Sequence, residues 1–158
     1  MRKQVVKNYI LLTEVTDFSL SETLDCGQCF RWEQIGENCY GGVVSDYYCE
    51  VQQQGDSLRF YHIDNAVFEA VFRPYFDFDR DYGAIKKRLS ADETLRKAIA
   101  YAPGIHVLNQ APWEALCSFI ISQNNNVSRI KGIIERLCTA FGEKLPDGHS
   151  AFPTPEKL

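Results

Sequence analysis

Long apolar segments are absent from this sequence, and so are internal repeats and low-complexity stretches. No apolar run reaches about 18 residues, which predicts that no helix crosses a membrane. The N-terminus carries Arg2 and Lys3 but lacks a small-residue cleavage site, so we interpret it as a strand rather than a signal peptide. The 158 residues, 45% hydrophobic and 24% charged, fit one ordinary globular domain or two small ones that share a core.

Basic residues are in deficit as well. The chain has 17 Lys and Arg against 21 Asp and Glu, with a net charge of −4 and an isoelectric point of about 5.4. DNA-binding proteins usually carry a basic surface, so net charge alone does not favour DNA as a partner. The charge is uneven, however, and residues 127–144 contain four basic side chains against two acidic ones. These four are Arg129, Lys131, Arg136 and Lys144, a local patch that can still bind phosphates.

Cysteine is the residue type that raises a question of chemistry. Six are present, and Cys26 and Cys29 form a C-x-x-C pair, a spacing that can bind zinc or carry out redox reactions. No second such pair accompanies it, and His62, His106 and His149 are isolated, so a zinc site lacks its remaining ligands. We therefore expect no metal, no cofactor, and reduced thiols in a cytoplasmic protein. A metal or redox module stays a third interpretation.

The strongest pattern in the chain is a pair of amphipathic helices around a run of three asparagines. Apolar residues recur at helical spacing on both sides of the run. They are Trp113, Leu116, Cys117 and Ile120 in the first helix, and Val127, Ile130, Ile133, Ile134, Leu137, Cys138 and Phe141 in the second. Pro112 suits a first helical position and Gly142 a helix end. The pattern predicts a helical hairpin with Asn124, Asn125 and Asn126 at its corner, where short amides can contact phosphates or base edges.

Two segments closely resemble one protein family, the 8-oxoguanine DNA glycosylases of the helix–hairpin–helix superfamily. The run SQNNNVSR, residues 122–129, is similar to that family's asparagine loop, and RIKGIIERLCTAFG continues the similarity. Far away in the sequence, CGQCFRW, residues 26–32, is similar to the G-Q-x-F-R-W segment beside the family's base pocket. One departure is Ala111, because family members often place a polar cap such as Asp before the proline of the first hairpin helix.

The resemblance implies a partner and roles for five residues. The partner is duplex DNA with 8-oxoguanine opposite cytosine, and the family removes this base by lysine Schiff-base chemistry with associated AP lyase activity, as part of base excision repair. Asn124 would fill the gap left by the extruded base, and Arg129 would read the orphaned cytosine. The Gly27 carbonyl would accept a hydrogen bond from the N7–H that the lesion carries and guanine lacks. Asn125 and Asn126 would belong to the DNA-contacting loop.

Each of these roles has a structural alternative at the same residue. Asn126 is also a favoured N-cap for the second helix, Arg129 could be solvated or hold a phosphate, and Gly27 could be required for a turn. We interpret Phe30 and Trp32 as structural, on the same core side of a strand.

The rest of the chain divides into a β-rich part and an α-helical part. We predict strands at residues 5–12, 29–35, 38–45, 47–53 and 57–63, and short helices at 18–26, 65–76, 82–90 and 91–102. The later strands read as an antiparallel meander, and Val67, Ala70 and Val71 as the apolar face of one helix. This α+β arrangement is also what the resemblance implies. A twisted antiparallel sheet domain, similar to the TATA-binding protein, would cover residues 1–103, and the first helices of the glycosylase domain residues 104–158.

The family's catalytic element has no counterpart in this sequence. That element is a helix–hairpin–helix with a Gly-rich turn, a nucleophilic lysine and a downstream aspartate, and none of the eight lysines here follows a G-x-G turn. The last residues begin a helix pattern with Thr154 as N-cap and Pro155 at the first position. We therefore expect a truncated recognition half, with no catalytic residues and no activity of its own, whose exposed helix faces could form a dimer. The alternative is a non-catalytic DNA-binding or protein-interaction module on the same scaffold.

Overall fold

Short strands with alternating buried and exposed residues build the sheet. The computed structural model describes residues 1–158, and its six strands form one antiparallel sheet in the order β1-β2-β6-β5-β4-β3. The strands are β1 Arg2–Val6, β2 Tyr9–Thr13, β3 Trp32–Gly36, β4 Cys39–Val44, β5 Tyr47–Gln54 and β6 Ser57–Tyr61. The predicted meander is confirmed for β3 to β6, because each of these strands pairs with the next.

The single strand predicted over residues 5–12 is wrong. The chain turns back after Val6, so β1 and β2 form a hairpin in which Val6 pairs with Tyr9. Lys7 and Asn8 alone make the turn, and Asn is a favoured turn residue. The flanking apolar residues read as one continuous strand, since a lone polar pair does not mark a turn without further turn chemistry. Strand β2 then pairs with β6 and joins the hairpin to the meander.

Helices flank the sheet, which confirms the α+β class. They are α1 Leu20–Leu24, α2 Asn65–Val67, α3 Arg73–Tyr75, α4 Tyr82–Leu89, α5 Glu93–Tyr101, α6 Pro112–Ser122 and α7 Val127–Phe141. A π-helical segment, Phe68–Phe72, joins α2 to α3, and a 3-10 turn, Pro155–Lys157, has Thr154 at its N-cap position as predicted. No helix is both long enough and apolar enough to span a membrane.

The inner face of the sheet and the neighbouring helices bury a main cluster of 19 residues. Phe60 on β6 lies against Phe68 and Phe72, with ring centroids 5.1 and 6.3 Å away. Trp32 lies across β4 at Gly42, where a Cβ would come within 2.5 Å of the indole ring. Any side chain at position 42 would force the indole to move, so the close approach of Trp32 to β4 requires glycine there.

The apolar helix face predicted from Val67, Ala70 and Val71 is confirmed for the two valines, which are half-buried and pack against the main cluster, and is wrong for Ala70, which is exposed. The prediction missed Phe68, Phe72 and Phe76, which are the fully buried residues of this segment. Phenyl rings bury more apolar area than the smaller side chains, so they take the sheet-facing side.

A second, smaller cluster lies between the segment before β3 and helix α7. Phe30 packs there against Ile130, Ile134 and Cys138. Phe30 and Trp32 are both buried, but they enter different clusters, so the prediction that they share one core side is wrong. The reason is that β3 begins only at Trp32, and strand alternation does not extend back to Phe30.

The boundary between residues 103 and 104 stays a prediction. Leu108 lies beyond it in sequence and still packs in the main cluster with the sheet.

Candidate nucleic-acid interface

The asparagine run forms the corner between α6 and α7, as predicted. Helix α6 begins at Pro112, and its N-cap residue Ala111 makes no side-chain cap bond. Helix α7 ends at Gly142, whose N–H donates to the Cys138 carbonyl over 2.8 Å. The second helix of the hairpin therefore has a hydrogen-bonded C-cap, and its N-terminal end adjoins the short polar corner.

Asn124 occupies the tip of this corner. Its backbone φ is +56°, in the left-handed region that Asn enters more readily than other non-glycine residues. Its side chain is exposed and forms no hydrogen bond within the chain, whereas those of both following asparagines do. An amide with unpaired donors and an unpaired acceptor can bond to groups presented from outside.

The other two asparagines hold the corner in shape. The Asn125 side-chain amide donates to the Ile121 carbonyl over 2.7 Å, and Asn126 accepts from the Arg129 N–H over 2.9 Å. The predicted N-cap role of Asn126 is thus confirmed. Contact of either residue with DNA stays a prediction.

The basic patch of α7 is smaller than its sequence implies. Lys131 and Lys144 are engaged with a backbone carbonyl and a serine hydroxyl of neighbouring segments. Arg129 and Arg136 are exposed and form no ion pair or side-chain hydrogen bond. These two lie seven residues apart, about two helical turns, so they share one face of α7 and form a short cationic strip.

Gly27 lies in the loop that leads into β3. Its φ of +85° is a conformation that side chains disfavour, so the turn alternative for this glycine is supported. No Cβ clash restricts the position, because nothing lies within 4 Å of where a Cβ would be. Its carbonyl accepts no backbone hydrogen bond and faces no side-chain donor within bonding distance. A free acceptor is therefore present at a half-buried residue without a side chain, where the lesion contact is predicted.

Gln28 fixes this loop, a role that sequence reasoning missed. Its side-chain amide donates to the carbonyls of Thr23 and His106 over 2.9 and 2.8 Å, and its oxygen accepts from the Leu108 N–H over 2.9 Å. Its own carbonyl accepts from the Gln110 side chain over 2.6 Å. The G-Q pair was visible in the sequence, but all of the bonding partners of Gln28 except Thr23 lie some eighty positions away and have no local signal.

The two motifs, distant in sequence, meet in space. Phe30, three positions after Gly27, packs on Ile130, the residue next to Arg129. The Lys131 ammonium donates to the backbone carbonyl at the start of β3 over 2.5 Å. The fold thus brings the segment that follows Gly27 against the first turns of α7.

Arg31 is a buried side chain that links the segment before β3 to α6 and to the chain after α7. Its side chain is 6% exposed, donates to the Ser150 carbonyl, and lies 3.8 Å from the Glu114 carboxylate of α6. Its Nη1 is buried without a hydrogen-bond partner. Burial raises the pKa of Glu114, and the nearby Arg31 charge acts in the opposite direction.

The C-x-x-C pair does not form a recognisable metal or redox centre. All six cysteines are free thiols, and no group of three or more His, Cys, Asp or Glu side chains is arranged to hold a metal ion. Cys26 is exposed and Cys29 is buried, and burial raises the pKa of the Cys29 thiol to about 12. Such a thiol stays protonated, which disfavours thiolate chemistry at this position.

Comparisons with known proteins agree with this geometry. Residues 10–116 match the family described as "8-oxoguanine DNA glycosylase, N-terminal domain". The N-glycosylase/DNA lyase of Saccharomyces cerevisiae is 29% identical over 160 residues, which cover 90% of this chain and 43% of that protein. The Clostridium acetobutylicum 8-oxoguanine glycosylase/lyase, in complex with DNA containing cytosine opposite 8-oxoG, has a TM-score of 0.94 and 40% identity, over 100% of this chain and 56% of that one.

A further solved relative is MBOgg1 in complex with a low affinity DNA ligand, with a TM-score of 0.94 and 39% identity, over 99% of this chain and 55% of that one. An antiparallel sheet followed by an asparagine-cornered helical hairpin is thus the architecture of a DNA-repair glycosylase's N-terminal region. This chain belongs to the 8-oxoguanine DNA glycosylase family, through its N-terminal domain. It spans about half the length of the relatives it matches.

Proposed function

We propose that this chain is the lesion-recognition part of a DNA glycosylase and AP lyase that removes 8-oxoguanine paired with cytosine. The observation that carries the proposal is the Phe30–Ile130 contact, which joins the segment after Gly27 to the turn of α7 that carries Arg129. The Gly27 carbonyl accepts no hydrogen bond within the chain, and the side chains of Asn124 and Arg129 are exposed and form none. Such an enzyme must extrude the damaged base at a cost of a few kcal/mol, so it needs groups that fill the gap and hold the orphaned partner.

Asn124 is the candidate gap-filling residue. Its position at the tip and its unpaired amide suit insertion between bases. We expect Asn124→Ala to weaken binding to lesion-containing duplex more than to undamaged duplex. Equal loss on both would reduce this residue to a phosphate contact.

Arg129 is the candidate reader of the orphaned cytosine. Its forked donors match the O2 and N3 acceptors that cytosine exposes once unpaired. We expect Arg129→Ala to relax the preference for cytosine opposite the lesion by about tenfold, the scale of one good bidentate contact. An unchanged preference would reject the reader role.

Gly27 is the candidate discriminator of the lesion itself. Its carbonyl would accept the N7–H of 8-oxoguanine but would face a lone pair on guanine, a mismatch that costs about 1–3 kcal/mol. Gly27→Ala is also strained at a φ of +85°, so it should disturb the loop as well as the pocket. A variant with unchanged lesion preference and stability would contradict both roles.

Lysine chemistry is not assigned to this chain. The proposed reaction forms a Schiff base between a lysine amine and C1′ of the sugar, and none of the eight lysines lies in a recognisable nucleophile motif. Borohydride trapping on a duplex with 8-oxoguanine opposite cytosine tests this directly. We expect no covalent adduct with this chain alone and an adduct with a longer native polypeptide that contains it. An adduct with this chain would identify one of its own lysines as the nucleophile.

A protein-interaction role has one observation in its favour. Leu116, Phe119 and Ile120 on α6 are 55%, 54% and 65% exposed, an apolar face larger than scattered surface residues explain. We propose that a second copy of the chain covers this face. Light scattering should show a dimer that Ile120→Asp converts to a monomer, and a monomer at every concentration would contradict the proposal.

A further inference from the structure

Lys131 is a partly buried lysine whose charge is used inside the protein. Its Nζ donates to the Trp32 carbonyl over 2.5 Å and lies 3.3 Å from the Glu33 carboxylate. It follows Arg129 by two positions, about 200° around the helix. The two side chains therefore leave α7 in nearly opposite directions, Arg129 toward solvent and Lys131 toward the sheet.

The first turns of α7 are not packed tightly on the sheet where Lys131 crosses. A cleft of about 830 Å³ separates the two there, lined on the helix by Val127, Lys131 and Gly132 and on the sheet by Gly41 and Tyr48. Gly132 contributes no side chain, and Val127 is 53% exposed. Below this cleft, Ile130 is anchored in the small cluster around Phe30, a contact that is apolar and therefore non-directional.

Lys131 forms the sole polar link between residues 127–132 of α7 and the sheet, and its side chain crosses this cleft. The Glu33 carboxylate is mostly exposed, so its ion pair contributes little on its own. The bond to the β3 carbonyl is the stronger and more directional part, because it joins a charged donor to a fixed backbone acceptor.

We infer that Lys131 is a positioning residue that sets the rotation of the first turn of α7 and so aims Arg129 at the orphaned base. This inference rests on the proposed reader role of Arg129. Lys131 itself is turned away from the Arg129 face, and we assign it no contact with DNA.

The test compares affinities for 8-oxoguanine opposite cytosine and opposite adenine, in the longest native polypeptide that contains this chain. Lys131→Met keeps the apolar stem and removes the donor and the charge. We expect the preference for cytosine to fall about tenfold, as it would for Arg129→Ala, while the preference for lesion over undamaged duplex is retained. Lys131→Arg, which still offers a charged donor, should restore most of the cytosine preference.

Lys86 provides a matched control. It is also a partly buried lysine that donates to a backbone carbonyl, that of Pro103 over 2.7 Å, and pairs with an acidic residue, Asp17. It lies on α4, away from the hairpin. Lys86→Met should change stability by a similar amount and leave the cytosine preference unchanged, and a matching loss in this variant would show a general effect of destabilisation and overturn the inference.

A double-mutant cycle separates the possible failures. If Lys131 acts through Arg129, Lys131→Met should cause no further loss of preference in the Arg129→Ala background. Additive losses, or a uniform loss of affinity on every duplex, would overturn the positioning role. An unchanged preference in Lys131→Met beside a lost one in Arg129→Ala would overturn this inference alone. An unchanged preference in Arg129→Ala would overturn the reader role and the inference with it.

Discussion

The sheet region and the helical hairpin are held together by different means. The sheet and its flanking helices bury 19 residues in one cluster, whereas the hairpin shares a cluster of four, of which Phe30 belongs to the loop before β3. The hairpin instead depends on polar links to the rest of the chain. Arg31 lies beside Glu114 of α6, Lys131 of α7 donates to the Trp32 carbonyl, and the Trp113 indole donates to the Pro153 carbonyl over 3.0 Å. The sheet thus serves as a rigid base, and the candidate DNA-contacting corner is oriented by a few directional bonds.

The largest expected effect comes from breaking the apolar side of this comparison. Phe72→Ala removes a fully buried ring from the main cluster and should lower the free energy of unfolding by about 3–5 kcal/mol. Ile134→Ala in the small cluster should cost less, about 2–3 kcal/mol, because the open cleft beside α7 lets the site relax. Urea unfolding of both variants measures the difference, and a larger loss for Ile134→Ala would contradict the ranking of the two regions.

The next largest effect is expected from breaking one of the polar links of the hairpin, the Arg31–Glu114 pair. Arg31→Met leaves the Glu114 carboxylate buried without its nearest cation and should lower the free energy of unfolding by about 3 kcal/mol. Because the loss comes mainly from the stranded carboxylate, Arg31→Met combined with Glu114→Gln should recover part of it. Denaturant titration of the single and double variants provides the measurement. A double variant less stable than Arg31→Met would show that the pair is not the source of the loss.

A pair of glycines at one helix sharpens the comparison. A Cβ at Gly142 would lie 2.0 Å from the Ala151 carbonyl oxygen, so Gly142→Ala should cost about 1–3 kcal/mol by forcing the returning chain off the end of α7. Gly132 is the matched control, since its nearest neighbour is the flexible Arg136 side chain at 3.5 Å. Gly132→Ala should raise stability by up to about 1 kcal/mol through helix propensity. Thermal unfolding distinguishes the two, and opposite signs are the expected result.

The smallest expected effect is a pH dependence of the free energy of unfolding, which arises from His106, a buried residue packed against Phe18 of the main cluster. Burial lowers the pKa of His106 below its usual 6.5, and its ring stacks on Tyr82 at 3.7 Å. The unfolded chain therefore binds a proton at His106 more readily than the folded chain does. The contribution of the neutral, buried His106 to the free energy of unfolding is complete above pH 6.5 and is lost as the pH falls below it. The slope is at most about 1.4 kcal/mol per pH unit.

Unfolding curves measured between pH 5 and pH 8, the range in which histidine titrates, test this dependence. His106→Gln should flatten it. A slope that survives in His106→Gln would assign the proton to another group.

Local pattern predicted the elements well and their partners poorly. The α6–α7 hairpin, the Asn126 cap and the β3–β6 meander follow from periodicity and capping chemistry, which act over a few residues. The Lys131 and Gln28 bonds join positions far apart in the chain, so Lys131 resembled one more member of a basic patch. The burial of Phe68 and Phe72 depended on the sheet opposite them, which no helical window contains.

The shape of the asparagine corner has a kinetic consequence. Asn124 already holds its left-handed backbone in the free chain, and Asn125 and Asn126 bond the loop on either side. A loop that is ordered before it meets its target loses little conformational entropy on contact. If the corner contacts DNA as proposed, encounter with a duplex should not wait for the loop to fold, and the slow step should then be the extrusion of the base from the helix.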